Sequence, residues 1–229
     1  MNWSCFDMTQ RCSCVIRLQP SSLIVLDLDD TLYSERDFQR SGFRAVLETL
    51  DVAHTVHIDD LMELSRQGQD VFESLNFDEH LRHVALSIYR QHTPRISLYP
   101  DAAIFVDQAL AAGCTLAIAT EGRSRSQRNK ISALGLDDKI SHVLISDEVG
   151  HRKVEPEFFA EILPIADDKN CVMIGDNPVK DFIVPNALGW DTFLLVERGD
   201  NVHSQDVVVD DAYRAQSVVH SFNEFAFTD

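Results

Sequence analysis

Two aspartates stand where the first predicted strand ends. Asp27 and Asp29 lie at the end of the apolar run Leu23–Leu28, and alternate side chains of an extended strand project to the same side. Two carboxylates about 4 Å apart repel by roughly 4 kcal/mol at an effective dielectric constant near 20. Either a cation lies between them or one of them keeps a proton at neutral pH. Both states suit catalysis, but a solvated acidic turn explains this segment equally well when it is taken alone.

Polar side chains also follow later apolar runs, and they favour chemistry over a solvated turn. Thr120, Glu121 and Gly122 come after one such run. The helix predicted directly after them offers free N–H groups and a dipole to a phosphate. Asp176 and Asp181 form a second carboxylate pair after another run. The sequence therefore places carboxylates and phosphate-binding groups at several strand ends.

A regular alternation of strands and helices positions these groups. Short runs that are apolar on both faces are typical of strands in a parallel sheet covered on two sides. Helical patterns that stop at glycine lie between them and indicate right-handed crossovers in a doubly wound, Rossmann-like α/β sheet. The predicted strands are Leu23–Leu28, Thr115–Ala119, His142–Ile145, Cys171–Ile174 and Thr192–Val196, with Val218–Val219 as an edge strand, and the predicted helices are Asp101–Ala112, Ser124–Leu134, Glu155–Leu163 and Pro178–Leu188.

One long segment interrupts this alternation. About sixty residues between the first strand and Tyr99 show helical periodicity without a convincing strand. Three helices are predicted there, Glu35–Leu50, Ile58–Leu75 with Asp59 as its cap, and Asp78–His92. An insertion at this point hangs over the carboxyl end of the sheet, where open α/β folds bind ligands. The expected division is an N-terminal extension over 1–20, a core over 21–33 and 98–229, and an all-α insertion over 34–97.

The composition excludes several partners. Twenty Lys and Arg against 37 Asp and Glu give a formal charge of −17, which repels nucleic-acid phosphates and anionic lipid. No apolar run approaches the ~18 residues that span a bilayer, and the first 20 residues lack the apolar segment of a secretory signal. We expect a cytoplasmic monomer or homodimer that binds neither nucleic acid nor membrane. An anionic substrate would need positive charge concentrated in the site itself.

The chain resembles the haloacid dehalogenase (HAD) superfamily, in its phosphatase-type members with a helical cap. Four motifs of that family stand in order, each at a predicted strand end or loop, and they span nearly the whole globular part of the chain. Each motif alone is weak, whereas four in order are specific. The matching residues are Asp27, Asp29 and Thr31 in the Asp-x-Asp-x-Thr pattern, Thr120 as the strand-end Thr or Ser, Lys153 as the motif lysine, and Gly175, Asp176 and Asp181 in the last motif.

The resemblance implies a mechanism. Asp27 would attack phosphorus and form an aspartyl-phosphate, while Asp29 would protonate the leaving oxygen and then take a proton from water. Val154 replaces a common proline and Glu121 a common Asn or Asp, and neither change removes a reacting group. The implied Mg²⁺ set is Asp27, Asp29 through its backbone carbonyl, Asp176, Asn177 and Asp181, and the implied phosphate or substrate contacts are Thr31, Thr120, Glu121, Gly122, Arg123 and Lys153.

The expected reaction is hydrolysis of a small phosphomonoester of the sugar-phosphate or nucleotide class. A sugar phosphomutase uses the same aspartates and stays an alternative, because the sequence does not show how well the cap excludes water. Dehalogenases of the superfamily lack the second motif aspartate, so the presence of Asp29 favours phosphate chemistry. A non-catalytic binding module would lack a reacting group, and none is missing.

Two further groups of residues receive an interpretation. The cationic run from Arg123 to Lys130 is a helix face that balances nearby acids, unless Arg123 or Arg125 meets a second anionic group of the substrate. The acidic segment 197–211 shows nothing catalytic. Core of the cap, rather than a stack against the substrate, is expected for Phe38, Phe43, Phe72 and Leu75.

Overall fold

The computed structural model describes residues 15–53, 55–166 and 168–228. The first fourteen residues of the predicted extension therefore lie outside the described residues. None of the described helices combines the length and the apolarity needed to cross a membrane. The strands are β1 (Ile16–Leu18), β2 (Leu23–Leu26), β3 (Thr115–Thr120), β4 (His142–Ile145), β5 (Cys171–Gly175), β6 (Asp191–Leu195), β7 (Ser217–Val219) and β8 (Phe225–Phe227).

A six-stranded parallel sheet in the order β4-β3-β2-β5-β6-β7 forms the centre of the molecule. All four residues of β2 are fully buried, and each such side chain contributes about 1.5–3 kcal/mol on burial. Ile24 and Leu26 face one apolar layer, and Leu23 and Val25 face the other, because successive side chains of a strand alternate. The predicted doubly wound α/β sheet is confirmed.

The helices inserted after β2 differ from prediction in one place. The pattern over Ile58–Leu75 predicts one helix, but the chain leaves helical geometry after Arg66 and passes through Gly68 at a φ of 70°. Asp70 then caps a new helix by accepting hydrogen bonds from two backbone amides. Asp59 lies in the first turn, not at the cap position. The inserted helices are α1 (Glu35–Thr49), α2 (Ile58–Arg66), α3 (Val71–Ser74) and α4 (Glu79–Gln91).

Two predicted core helices are shorter than expected. Pro164 has no N–H to donate to the carbonyl of Ala160, so Glu155–Leu163 is a 3₁₀ turn followed by a short helix. The predicted helix Pro178–Leu188 begins only at Ile183. The side chain of Asn177 accepts a hydrogen bond from the amide of Val179 at 3.0 Å, and such local bonding competes with helix formation at the start of the predicted segment. The core helices are α5 (Pro100–Ala111), α6 (Ser124–Ala133), α7 (Ser146–Val149), α8 (Leu163–Ala166) and α9 (Ile183–Ala187).

Two short strands escape the sequence analysis. β1 lies inside the predicted extension and pairs in parallel with β8, with Ile16 opposite Phe225 and Leu18 opposite Phe227. Strands of three residues carry too short an apolar pattern to be recognised. Leu18 and Phe225 are buried in one apolar layer of the sheet, and Ile16 packs against that layer, so β1 contributes to the core on one face.

The inserted helices have an apolar cluster of their own. Phe43 and Phe72 lie in that cluster, as predicted, whereas Phe38 lies in an apolar layer of the sheet. The chain leaves the core after Leu32 and returns at Tyr99, whose amide donates a hydrogen bond to the carbonyl of Leu32 at 2.9 Å. The two crossings between the core and the insertion are therefore adjacent.

Candidate active site

The carboxyl ends of β2, β3 and β5 surround a polar cavity of about 90 Å³. The strand order reverses between β2 and β5, and open α/β sheets bind ligands at such a switch point. The cavity is lined by residues that the sequence predicted for the site and by others that it did not. The predicted ones are Asp27, Asp29, Thr120, Glu121, Lys153, Asp176, Asn177 and Asp181, and the others are Asp30, Glu35, Lys180 and His203.

A tight turn after β2 presents the first carboxylates. Asp30 has a φ of 56°, a left-handed conformation that aspartate tolerates because its short side chain can bond locally. Its carboxylate accepts hydrogen bonds from the amides of Glu35 at 2.8 Å and Val202 at 2.7 Å. Thr31 lies outside the cavity wall, is fully buried and donates to Asp27 Oδ2 at 3.1 Å. The turn is thus fixed to α1, to the segment after β6 and to Asp27 itself.

Lys153 is a buried cation beside these carboxylates, with 2% of its surface exposed. Its ammonium donates to Asp27 Oδ1, and to Asp181 Oδ1 at 2.8 Å. Burial acts to lower the pKa of Lys153, but the charges of Asp181 and Asp27 outweigh it and hold the pKa above its usual value. Lys153 therefore stays charged and can bind phosphoryl oxygens.

Glu121 holds the loop that carries Lys153. One oxygen of Glu121 accepts a hydrogen bond from the amide of Lys153 at 3.0 Å, and the other lies 3.3 Å from the ammonium of Lys180. The carboxylate is therefore engaged inside the chain, although it lines the cavity. The geometry makes Glu121 a support for the lysine loop.

Three buried carboxylates converge next to Lys153. Oxygens of Asp27, Asp176 and Asp181 all lie within 4.8 Å of one another. Burial, reinforced by the neighbouring carboxylates, raises the pKa of Asp27 to about 7 and that of Asp176 to about 9. Excess negative charge of this kind attracts a cation, and carboxylate oxygens are the ligands that hard divalent ions prefer. The cluster can hold a divalent cation.

Gly175 leaves room for this cluster. A Cβ added at Gly175 would lie 2.3 Å from Asp181 Oδ2, so any side chain there would displace the carboxylate. Asp181 Oδ2 also accepts a hydrogen bond from the amide of Asn177 at 2.9 Å. Asn177 itself lines the cavity. Both oxygens of Asp181 thus have partners, one in Asn177 and one in Lys153.

The segment 197–209 reaches the site, although its sequence showed nothing catalytic. Asn201 donates a side-chain hydrogen bond to Asp176 Oδ2 at 3.1 Å, and Gln205 donates to the backbone carbonyl of Asp176 at 2.7 Å. His203 lines the cavity. Asp200 forms ion pairs with Arg36 and Arg66 of the inserted helices. The segment therefore connects Asp176 to the insertion, and no motif in its sequence indicates that role.

Asp29 is held separately from the carboxylate cluster. The ammonium of Lys130 lies 2.7 Å from Asp29 Oδ1, and Gln127 Nε2 donates to Asp29 Oδ2 at 2.8 Å. The hydroxyl of Tyr33 also donates to Oδ1. Burial acts to raise the pKa of Asp29, but the charge of Lys130 and these hydrogen bonds lower it below its usual value. From the sequence, Lys130 is expected only on a charged helix face, not in contact with Asp29.

Thr120 and Asp29 share Gln127 as a hydrogen-bond donor. Gln127 Nε2 also donates to Thr120 Oγ1, which leaves the threonine proton free to point toward the cavity. Gly122 has a φ of 152°, and a Cβ there would lie 3.1 Å from the Gln127 side chain. The amides of Gly122 and Ser124 donate to side chains of α7 at 3.0 Å. Two of the amides that the sequence offers to a phosphate are therefore engaged within the chain.

The cationic run on α6 points in different directions. Arg123 is exposed at the start of the helix and lies outside the cavity wall. Arg128 pairs with Glu148 at 2.6 Å. Arg128 and Lys130 thus each contact an acidic side chain, whereas a contact of Arg123 or Arg125 with a second anionic group of the substrate stays a prediction.

Glu35 is an acidic residue of the cavity that the motifs do not include. It begins α1 and lines the cavity. Burial and the nearby Asp29 raise its pKa to about 8. A mostly neutral carboxyl can donate as well as accept a hydrogen bond. The inserted helices thus contribute a polar group to the site.

Comparison with known proteins gives consistent results. Residues 22–189 match the model of the haloacid dehalogenase-like hydrolase family. Phosphoserine phosphatase of Thermus thermophilus is 39% identical over 106 residues, which are 45% of this chain but only 42% of that protein. Glyceraldehyde 3-phosphate phosphatase of Pyrococcus abyssi is 27% identical over 190 residues, 74% of this chain and 79% of that protein. The magnesium-bound HAD-hydrolase YfnB of Bacillus subtilis shares the fold, with a TM-score of 0.63 at 14% identity over 90% of this chain and 96% of that one.

Proposed function

Because this chain belongs to the haloacid dehalogenase-like hydrolases, we propose that it is a Mg²⁺-dependent phosphatase that hydrolyses a small phosphomonoester. The observation that carries the proposal is the convergence of Asp27, Asp176, Asp181 and Lys153 on one cavity beside Asp29. These residues come from distant parts of the sequence. Phosphoryl transfer depends mainly on positioning and on electrostatic stabilisation, and this arrangement supplies both.

Asp27 is the nucleophile of the proposed reaction. Thr31 and Lys153 each engage one of its oxygens, which fixes the carboxylate for attack on phosphorus. The attack forms an aspartyl-phosphate and breaks the bond to the ester oxygen, which receives a proton from Asp29. Asp29, ionised in the free protein, takes up this proton when the anionic substrate binds beside it, because a nearby like charge favours the neutral carboxyl. Asp29 then takes a proton from the water that attacks the aspartyl-phosphate, so that phosphate leaves and Asp27 is regenerated. Thr120 and Lys153 hold the phosphoryl oxygens.

The residues present fit a magnesium ion. Asp27, Asp176 and the Asp29 carbonyl would hold it, with Asp181 and Asn177 around them. Asp27, Asp29 and Asp176 contribute three negative charges if ionised, and a phosphomonoester adds nearly two. Lys153 alone cannot offset that charge, and Mg²⁺, when bound, stabilises the charge on the phosphoryl oxygens.

The size of the cavity supports a small substrate. Its volume of about 90 Å³ has room for a phosphoryl group. The relatives are named for phosphoserine and glyceraldehyde 3-phosphate, which are small esters. The substrate therefore belongs to the sugar-phosphate or nucleotide class, with the smaller esters favoured. The inserted helices act as a cap that excludes water and selects the leaving group. A cytoplasmic location stays a prediction.

A screen of phosphorylated metabolites tests this function. The protein is incubated with each compound and Mg²⁺, and released inorganic phosphate is measured. We expect release from a small ester, and no release in excess chelator. Asp27→Asn abolishes turnover, while Asp191→Asn, at an exposed position of β6, leaves it unchanged.

Analysis of the sugar-phosphate products and a separate assay of halide release separate the alternatives. A phosphomutase would yield an isomerised sugar phosphate without net phosphate, and a dehalogenase would release halide from a haloacid. Normal phosphate release by the Asp27→Asn variant would overturn the assignment of the nucleophile. Full turnover without a divalent ion would overturn the role of the metal.

A further inference from the structure

We infer that Lys130 is a positioning residue that orients the carboxylate of Asp29 for proton transfer, an inference that rests on the proposed phosphatase function. Lys130 stands outside the four motifs, in the helix that follows β3. Its contact with Asp29 joins residues 101 positions apart in the chain. The two residues are brought together only by the tertiary structure, which places side chains of α6 against the turn that follows β2.

The contacts fix Asp29 from two sides. The Lys130 side chain is 5% exposed, and its ammonium lies 2.7 Å from Asp29 Oδ1. Gln127 lies three residues earlier, on the same face of α6, and donates to Asp29 Oδ2 at 2.8 Å. With both oxygens bonded, the carboxyl plane has little freedom to rotate. An acid or base must be held close to its productive geometry, because small displacements slow proton transfer strongly.

Two lysines divide the acidic groups of the site between them. Lys153 contacts Asp27 and Asp181, whereas Lys130 contacts Asp29. Without Lys130, the charges of the nearby carboxylates would push Asp29 away from Asp27, since like charges in a buried site repel strongly. Lys130 therefore keeps Asp29 in the cavity without occupying the place of the phosphoryl group.

The same helix also contacts the insertion. The ammonium of Lys130 lies 4.3 Å from the centre of the Phe38 ring on α1, a favourable position for a cation over an aromatic face. Asn129, the preceding residue, donates to the carbonyls of Gln91 and His92 at the end of α4. The helix α6 thus contacts both Asp29 and the inserted helices.

The test compares variants of Lys130 with two substrates. Lys130→Met removes the cation with little change in length, and Lys130→Arg retains it. Lys139→Met is the matched control, because Lys139 pairs with Asp107 at 2.6 Å and neither residue lines the cavity. One substrate is p-nitrophenyl phosphate, whose leaving group needs little protonation. The other is an alkyl phosphate found active in the screen, whose leaving group needs a proton.

Rapid mixing separates the two chemical steps. A burst of p-nitrophenolate reports formation of the aspartyl-phosphate, and the later steady rate reports its hydrolysis. For Lys130→Met, we expect turnover of the alkyl phosphate to fall by about 100-fold, the lower range of general acid–base catalysis. The burst keeps its amplitude and nearly its rate, while the steady rate falls. Lys130→Arg recovers most of the turnover, and Lys139→Met behaves as wild type.

Other outcomes overturn the inference. A folded Lys130→Met variant with unchanged alkyl turnover, or with the burst slowed as much as alkyl turnover, would show that Lys130 does not orient Asp29. If circular dichroism shows that Lys130→Met does not fold, Lys130→Gln is judged by the same criteria. A wild-type protein that releases no phosphate from any ester would instead overturn the proposed function, so the two failures are distinct.

Discussion

Gly175→Ala is the most direct perturbation of the carboxylate cluster. The added Cβ would lie 2.3 Å from Asp181 Oδ2, and real Cβ contacts are essentially never shorter than 3.0 Å. Asp181 is fully buried, so its carboxylate must move against packed atoms. It must also give up the geometry of its 2.8 Å contact with Lys153. One added methyl group thus both strains the packing and weakens the buried ion pair between Asp181 and Lys153.

The size of the effect follows from these two causes. Overpacking a buried site costs about 1–3 kcal/mol, and removing one partner of a buried ion pair costs about 3–5 kcal/mol. Because the carboxylate of Asp181 shifts but is not removed, we expect a loss of about 3 kcal/mol in the free energy of unfolding. For a chain of this length that corresponds to a fall of about 6–12 °C in Tm.

Thermal unfolding and phosphate release are measured on the same protein samples. Gly189→Ala is the control, because a Cβ at Gly189, unlike one at Gly175, meets no atom within 4 Å, although Gly189 has a φ of 73°. The free energy of unfolding of Gly189→Ala should fall by only about 1–2 kcal/mol, the cost of holding alanine in a left-handed conformation, and the variant should keep its activity. In an Asp181→Ala background, Gly175→Ala should cost little, since the clashing oxygens are gone. An equal cost in both backgrounds would refute the reasoning.

Two further predictions concern the metal and pH. Millimolar Mg²⁺ should raise the Tm of the wild type, by the equivalent of about 2.7 kcal/mol at one hundred times its Kd. The Asp176→Asn variant should lose this rise, whereas Asp191→Asn should keep it. An unchanged rise in Asp176→Asn would exclude the proposed metal site. Burial acts to raise the pKa of Asp101, but hydrogen bonds and charge from Arg198 lower it to about 2. The stability that this pair adds is present above the unfolded pKa near 3.9 and is lost as the pH falls toward 2. The difference in Tm between wild type and Asp101→Asn should therefore close between about pH 5 and pH 2, and a constant difference would contradict the assignment.

The sequence predicted those parts of the fold that depend on local patterns. The apolar runs located β2 to β6, and the alternation with helices gave the parallel sheet, because a strand buried on both faces shows in its own residues. The resemblance to the HAD superfamily is confirmed by the family match over residues 22–189. The motifs also identified most of the residues that line the cavity, since each motif stands at a strand end or in a loop beside it. The chemical roles of these residues stay predictions.

Features that depend on distant contacts were not predicted. Lys130 looks like any lysine on a charged helix, and only the tertiary structure places it 2.7 Å from Asp29. Asn201 and Gln205 lie in an acidic segment without periodicity, and their bonds to Asp176 arise from the path of the loop. β1 has a partner about 200 residues away, which no local pattern reveals. Competition from prolines and from the Asn177 side chain shortened two helices that periodicity alone would extend.

The hydrogen bond between the amide of Tyr99 and the carbonyl of Leu32 means that the inserted helices could be exchanged for another insertion at the same place. Two points of the core that lie side by side can be joined by a short loop or by a whole helical bundle, and the added length costs little chain entropy. A graft from another protein could thus replace residues 34–97 without new strain on the strands, provided that it also covered the sheet where Phe38 packs. Evolution could change the substrates of such an enzyme by exchanging this one segment, while the reacting carboxylates stay where they are.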